Sequence, residues 1–239
     1  MNKGNLYLIP SLLSTESDIN QISTYNLKII HNLTEFIVEE ERTARRFIKT
    51  TAYPHPINLI KFHILNEHTK SEQITHYLDT PDKGGNIGLL SEAGCPCIAD
   101  PGALIVKLAH KKNINVIPLI GPSSIILALM ASGFNGQNFT FLGYLPVKAI
   151  ERTAKIKQIY SDIYKTGQSF IFIETPYRNN HLLDDLIQSL PDDIYLCIAI
   201  DLTLKTEKII SKPISYWRKN KPNLNKRPAV FLLSNLNFS

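Results

Sequence analysis

Three cysteines in 239 residues, Cys95, Cys97 and Cys197, are an odd number and too few for a disulfide framework. A reduced, cytoplasmic setting is therefore expected. Hydrophobic runs are short: none approaches the roughly 18 consecutive apolar residues of a membrane-spanning helix, so no membrane partner is expected. Met1-Asn2-Lys3-Gly4-Asn5 leads straight into a short apolar segment, without the layout of a signal peptide. Glycine (11) and proline (14) are sparse, which excludes collagen-like chains, and 44% hydrophobic residues exclude a disordered one. Also missing are Gly-x-Gly-x-x-Gly, Gly-x-Ser-x-Gly and His-Glu-x-x-His, which argues against a dinucleotide fingerprint and against common hydrolases. Cys95-x-Cys97 has no second ligand pair near it, so no metal site is expected.

What is there can bury one large core or two small ones, with a mean hydropathy of -0.07. Lys and Arg number 26 against 21 Asp and Glu, a net +5. That excess permits an anionic partner such as RNA without demanding one, since a chain rich in Lys, Asn and Ile also arises from coding bias.

Strand-like and helix-like segments alternate, with no repeat of solenoid period. Strands are expected at 5–10, 36–38, 86–91 and 115–119, and helices around 44–49, 71–78, 103–111 and 123–131. This rhythm predicts a mostly parallel sheet. The Gly133-Phe-Asn-Gly-Gln-Asn138 turn marks the expected boundary between an N-terminal α/β lobe, 1–134, and a C-terminal lobe, 135–239. Beyond it, strands are expected at 139–142, 169–174, 195–200, 208–211 and 229–233, with helices at 150–165, 180–189 and 215–219. The last two strands lack a long helix between them, so the C-terminal lobe reads as α+β with a mixed sheet. The fold class is thus α/β, two-lobed, with a ligand cleft expected between the lobes.

Four segments carry candidate chemistry. Leu90-Ser-Glu-Ala-Gly-Cys-Pro-Cys-Ile-Ala-Asp-Pro-Gly102 follows a buried strand and precedes a helix, where open α/β sheets hold ligands. Ala93 and Gly94 allow close approach to the backbone, and Glu92 and Asp100 are acceptors; the plain alternative is a tight turn that caps the next helix. Leu119-Ile-Gly-Pro-Ser-Ser-Ile125 repeats the arrangement, with serines that either meet a ligand or merely cap. Glu39-Glu-Glu-Arg-Thr-Ala-Arg-Arg46 puts Arg42, Arg45 and Arg46 at helical spacing, as a phosphate grip or as a solvated face with local ion pairs. Glu67-His68 offers a base or a phosphate contact, or a plain helix cap. Phe172-Ile-Glu-Thr-Pro-Tyr-Arg178 joins a carboxylate, an aromatic ring and a cation.

In this order the segments resemble the tetrapyrrole methylase superfamily, and within it the small-subunit ribosomal RNA methyltransferase I branch. Ser91–Gly102 is similar to S-D-A-G-x-P-x-I-x-D-P-G, and Pro118–Ser124 to P-x-x-G-P-S. Ala131–Phe134, Phe141–Pro146, Glu174–Arg178 and Asp201–Thr203 are similar to A-S-G-[LF], F-x-G-[FY]-L-P, E-S-P-[HY]-R and E-L-T. Glu39–Arg46 is similar to E-D-T-R-x-T-x-R through Glu39 and Arg42. The resemblance covers nearly the whole chain.

It implies a methyltransferase that uses S-adenosylmethionine, usually a homodimer, acting on a cytidine 2′-hydroxyl of 16S rRNA or of the small ribosomal subunit. Carried over, Pro10, Ser91, Glu92, Ala93, Gly94, Cys95, Ile98, Gly121, Ser123, Ser124, Glu174 and Leu202 would hold the cofactor. Arg42, Arg45, Arg46, Tyr177 and Arg178 are the candidate substrate contacts. Glu39, Glu40, Glu67 and His68 are candidate bases for the hydroxyl proton. Three departures stand out. Pro10 is followed by Ser11-Leu-Leu-Ser-Thr15 in place of a Gly-Asn loop, E-D-T becomes Glu39-Glu40-Glu41, and the chain stops at Ser239 without the C-terminal module of longer members. They suggest a shorter paralogous subgroup. A porphyrin-type methyltransferase and a non-catalytic RNA-binding module are the alternatives.

Overall fold

The computed structural model describes residues 2–236, and the chain divides into two compact units, Met1–Ser123 and Ser124–Ser239. The first unit contains β1 (Asn5–Ile9), α1 (Thr24–His31), β2 (Glu35–Val38), α2 (Glu41–Thr50) and β3 (Lys61–Ile64). It continues with α3 (Ser71–Ile74), α4 (Asp79–Asp82), β4 (Ile87–Leu90), α5 (Ala103–Lys111) and β5 (Asn115–Pro118). The strands form one parallel sheet in the order β3-β2-β4-β1-β5.

Strands β2 and β4 are buried along their whole length, as a sheet covered on both faces requires. Glu35 at the start of β2 is the one charged residue in them, and it is held by Lys61 at 2.8 Å and by His63 and Thr80. Alternate residues serve opposite layers. Leu6, Ile37 and Leu89 pack with Ile105 and Ala109 of α5, whereas Ile9, Phe36, Val38 and Leu90 pack with Ile30 of α1 and Ala44 and Ile48 of α2. Every strand therefore points its C-terminal end to one edge of the sheet, and the loops that follow β1, β2, β4 and β5 gather there.

The second unit contains α6 (Ser124–Ser132), β6 (Phe139–Tyr144), α7 (Ala149–Thr166), β7 (Ser169–Ile173) and α8 (Asn179–Ser189). It ends with β8 (Tyr195–Ile200), β9 (Lys208–Pro213), α9 (Ile214–Trp217) and β10 (Ala229–Ser234). Its sheet runs β6-β7-β10-β8-β9, parallel between β6 and β7 and antiparallel elsewhere. Ile156, Ile159 and Ile163 of α7 and Leu182 and Leu186 of α8 cover it together with Trp217, whose indole N–H donates to the Leu196 carbonyl at 3.0 Å.

The expected strands and long helices are present within a few residues, including the mixed second sheet. Three features differ. The division falls before α6, not at the glycine turn that follows it, because α6 packs on β8, β9 and β10. Of the helix expected over 71–78 only the first turn, α3, is helical; α4 starts beyond it at Asp79, and the buried Tyr77 between them donates its hydroxyl to the Ile64 carbonyl at 2.6 Å. Strand β3 and helix α1 are additional. β3 is a four-residue edge strand, and α1 starts where the Ser23 hydroxyl accepts the Asn26 N–H at 3.1 Å.

Candidate active site

The loops after β1, β4 and β5 are stitched together by their own backbones. Ser11 N–H donates to the Gly94 carbonyl at 3.0 Å and to the Ser91 hydroxyl at 3.3 Å, and Ser91 Oγ donates to the same Gly94 carbonyl. The Cys95 thiol points to the Pro122 carbonyl at 3.4 Å. Asp100 accepts the N–H groups of Cys97 (2.9 Å) and Gly102 (2.7 Å), which folds 97–102 into a turn ahead of α5. Within that turn the backbones of Cys97 and Ala99 are left-handed, with φ of 69° and 62°, a conformation that non-glycine residues adopt at a cost and that gathers at functional sites.

Two glycines make these contacts possible. A side chain on Gly94 (φ 72°) would begin 3.0 Å from Leu13 Cδ2 and 3.1 Å from the Pro122 carbonyl. One on Gly121 would begin 2.1 Å from Pro10 Cγ. Gly121→Ala must push β1's loop away from β5's. It should cost about 1–3 kcal/mol, the usual range for overpacking, read as a lower urea midpoint. A midpoint equal to wild type would show that the two loops can separate freely.

Of the residues expected to meet the cofactor on this loop, Ser91 and Gly94 are buried and serve the stitching, and Cys95 is half-buried. Glu92, Ala93 and Ile98 are exposed. Burial pushes the Cys95 thiol up, and burial together with the Asp100 carboxylate pushes Cys97 to about 11, so both thiols are held protonated and unreactive.

Helix α2 forms the opposite wall. Glu40 is its N-cap, accepting the N–H groups of Arg42 and Thr43 at 2.9 Å each, and these bonds hold its carboxyl below the usual range. Glu40 is therefore occupied as a cap, and Glu39, half-buried at the end of β2, is the carboxylate that remains beside the loop. Burial raises its pKa to about 7, and the nearby Asp100 and Glu92 carboxylates push in the same direction. Thr43 Oγ1 lies 2.7 Å from Glu92 Oε1, tying the helix to the loop.

Between helix and loops lies a cavity of about 230 Å³, lined by Ser11–Thr15, by Thr43, Arg46, Phe47 and Thr50, and by Leu90–Glu92. Thr43, Phe47 and Thr50 do not stand out in the sequence. Their spacing of four and three, with Arg46 between, is the signal that would have found them.

The expected arginine grip is divided. Arg46 faces the cavity and Arg42 is exposed, but Arg45 pairs with Glu41 at 2.7 Å, donates to the Ile57 carbonyl at 2.9 Å and lies 4.8 Å above the Phe62 ring. Glu67 and His68 are exposed on the connection after β3 and do not line this cavity. Glu39 does not line it either, but borders a smaller space together with Leu90, which lines both, and Asp100.

In the second unit, the Glu174 carboxylate accepts the Thr175 N–H and the Arg178 guanidinium, each at 2.6 Å, so these two candidates bind each other. Tyr177 beside them is 71% exposed. Leu202 is buried in a turn where Asp201 accepts from Arg227 and Thr206. Ser124 opens α6, immediately after Ser123 of the first unit.

No protein-family model matches the chain. Among solved structures, it is similar to the methyltransferase CobJ, with a TM-score of 0.65 and 13% identity over 97% of this chain and 94% of that one. It is also similar to the cobalt precorrin-4 methyltransferase CbiF, with a TM-score of 0.59 and 15% identity over 98% and 96%. These likenesses establish the fold, which is that of the tetrapyrrole methylases. Among curated proteins, it is 29% identical over 235 residues to ribosomal RNA small subunit methyltransferase I of Escherichia coli O157:H7, covering 97% of this chain and 78% of that protein. The protein of the same name from Buchnera aphidicola subsp. Schizaphis graminum (strain Sg) is 30% identical over 237 residues, covering 98% and 79%. A match of that extent, on a fold that methyltransferases share, shows that the chain belongs to the ribosomal RNA small subunit methyltransferase I family.

Proposed function

We propose that the chain transfers a methyl group from S-adenosylmethionine to a ribose 2′-hydroxyl of 16S ribosomal RNA. The observation that carries this reading is the nearly full-length correspondence with relatives named for small-subunit rRNA methylation. The residues of the 91–98 loop fit such a cosubstrate. Glu92 offers a carboxylate to ribose hydroxyls or an ammonium, Ala93 leaves the backbone open, and Ile98 offers an apolar surface that is 50% exposed. When bound, the cosubstrate supplies a methyl group on a sulfonium, open to in-line displacement by oxygen. The chain's part is then positioning and proton removal.

Glu39 takes the hydroxyl proton, its carboxyl being tuned to the pH at which it works. Thr43 holds Glu92 in place. Arg46 and Phe47, on the wall of the cavity, are suited to a phosphate and a base face, and exposed Arg42 to a neighbouring phosphate. Calorimetric titration with S-adenosylmethionine and S-adenosylhomocysteine should give micromolar binding near one site per chain, and absence of heat with both would contradict the cosubstrate.

We also infer a homodimer. The second unit exposes Met130, Val147 and Ile150 at 74%, 62% and 87%, apolar surface that a second copy would cover. Light scattering should return twice the 27.0 kDa chain mass. A single-chain mass at the assay concentration would contradict it.

A further inference from the structure

The basic charge of this chain is unevenly spread. Between 201 and 239 there are eight Lys or Arg against two Asp or Glu, whereas the first 200 residues hold 18 against 19. The whole positive excess therefore comes from β9, α9 and the connections to β8 and β10.

Strand β9 is the outer strand of the second sheet, paired with β8 alone among the described residues. Lys208 and Lys212 lie four residues apart on one side of it, a span of about 13 Å. Lys205 precedes the strand, Lys219 follows α9 and Lys226 precedes β10. All five lysines are exposed, and among the described residues none has an acidic partner. The neighbouring cations differ: Arg218, Lys221 and Arg227 bind Asp192, Asp184 and Asp201 at 2.5–2.6 Å.

One end of the strip is drawn together by Arg227, whose guanidinium also donates to the Thr206 carbonyl at 3.1 Å and so brings the Lys226 turn beside Lys205. At the other end, Lys212 Nζ lies 5.8 Å from the ring of Tyr216, which is 37% exposed. Lysine on an edge strand also discourages strand addition. That need is met within β9 and leaves Lys205, Lys219 and Lys226 unexplained. Unpaired cations beside an exposed aromatic ring are what a nucleic-acid backbone with an unstacked base requires.

We infer that the outer edge of β9 and its flanking turns form the surface on which this chain holds the RNA phosphate backbone, remote in sequence from the arginines of α2. The inference rests on the rRNA reading above. It is tested with the full chain carrying Lys205→Gln, Lys208→Gln and Lys212→Gln, beside a control carrying Lys111→Gln, Lys157→Gln and Lys165→Gln, which removes the same charge elsewhere.

Binding of a 16S rRNA fragment is followed by anisotropy across a salt series. The β9 variant should bind about tenfold or more weakly at low salt, and its log–log salt slope should fall by about two, near 0.7–0.9 for each phosphate no longer neutralised. S-adenosylmethionine binding should be unchanged, as a check on folding. Equal weakening in both triple variants, or an unchanged slope in the β9 variant while wild type binds and methylates RNA, overturns this surface alone. Wild type without salt-sensitive RNA binding overturns the rRNA reading with it. Lysine-dependent binding to phosphatidylglycerol vesicles, without RNA binding, would make the surface a lipid site and equally overturn the inference.

Discussion

Glu39→Gln should lower kcat by about 10²–10⁴-fold, the range for loss of a general base, while leaving S-adenosylmethionine affinity within about twofold of wild type. The reason is local: at the end of β2, burial and two neighbouring carboxylates hold the Glu39 proton up to about pH 7. In wild type, kcat should climb as pH rises through about 7 and the carboxylate forms; in the variant this limb should vanish.

Stability supplies an independent reading with a definite sign. The folded-state pKa of Glu39 is raised from 4.5 to about 7, so the folded chain holds this proton more tightly than the unfolded chain. Its stabilising contribution is complete below about pH 4.5 and is lost as pH rises through about 7. The neutral glutamine should therefore make the protein more stable than wild type at pH 8 and leave it nearly equal at pH 4. Unchanged kcat together with an unchanged pH–stability curve would return the proton-acceptor role to the other candidates, Glu67 and His68.

Glu92→Arg should weaken S-adenosylmethionine binding by more than about 100-fold, a loss of roughly 2.8 kcal/mol or more at 1.4 kcal/mol per decade. Two effects act together. The acceptor on the exposed part of the loop disappears, and a guanidinium stands where a sulfonium-bearing molecule is expected. The Thr43 hydroxyl also loses its 2.7 Å partner. Thr43→Val removes only that tie and should produce a smaller loss, separating positioning of Glu92 from its charge. Because Glu92 is one of the two carboxylates that push Glu39 upward, the Glu92→Arg variant, assayed at saturating cosubstrate, should show its rising pH limb at lower pH. Retained micromolar affinity in Glu92→Arg would remove this loop from the cosubstrate site.

Legibility in the sequence follows how much of each element's environment is local. Strands β2 and β4 are readable because a fully buried parallel strand has no polar alternation to disguise it. The loop at 91–102 is readable because its glycines and prolines sit between a strand and a helix. Strand β3 is not: Lys61-Phe-His-Ile64 follows two prolines and lies at the sheet edge, with its lysine held by Glu35 at 2.8 Å across to β2. Only tertiary pairing makes it a strand. The arginine face of α2 is correctly spaced, but spacing is silent about partners. The Ile57 carbonyl and the Phe62 ring, twelve or more residues away, engage Arg45 and leave Arg46 for the cavity. Glu40 and Glu39 are adjacent and chemically identical. Only the helix start, which turns Glu40 back onto its own amides, tells the cap from the candidate base.

Methyl transfer to a ribose of small-subunit rRNA is tested most directly by incubating the chain with methyl-labelled S-adenosylmethionine and either 16S rRNA or small ribosomal subunits. The RNA is then digested to nucleosides and the label read by mass spectrometry. Label is expected in a 2′-O-methylated nucleoside, approaching one per rRNA molecule and accumulating about 10²-fold or more slowly with Glu39→Gln. Label on a base, or label that passes to a tetrapyrrole offered in parallel while the RNA stays unmodified, would contradict ribose methylation.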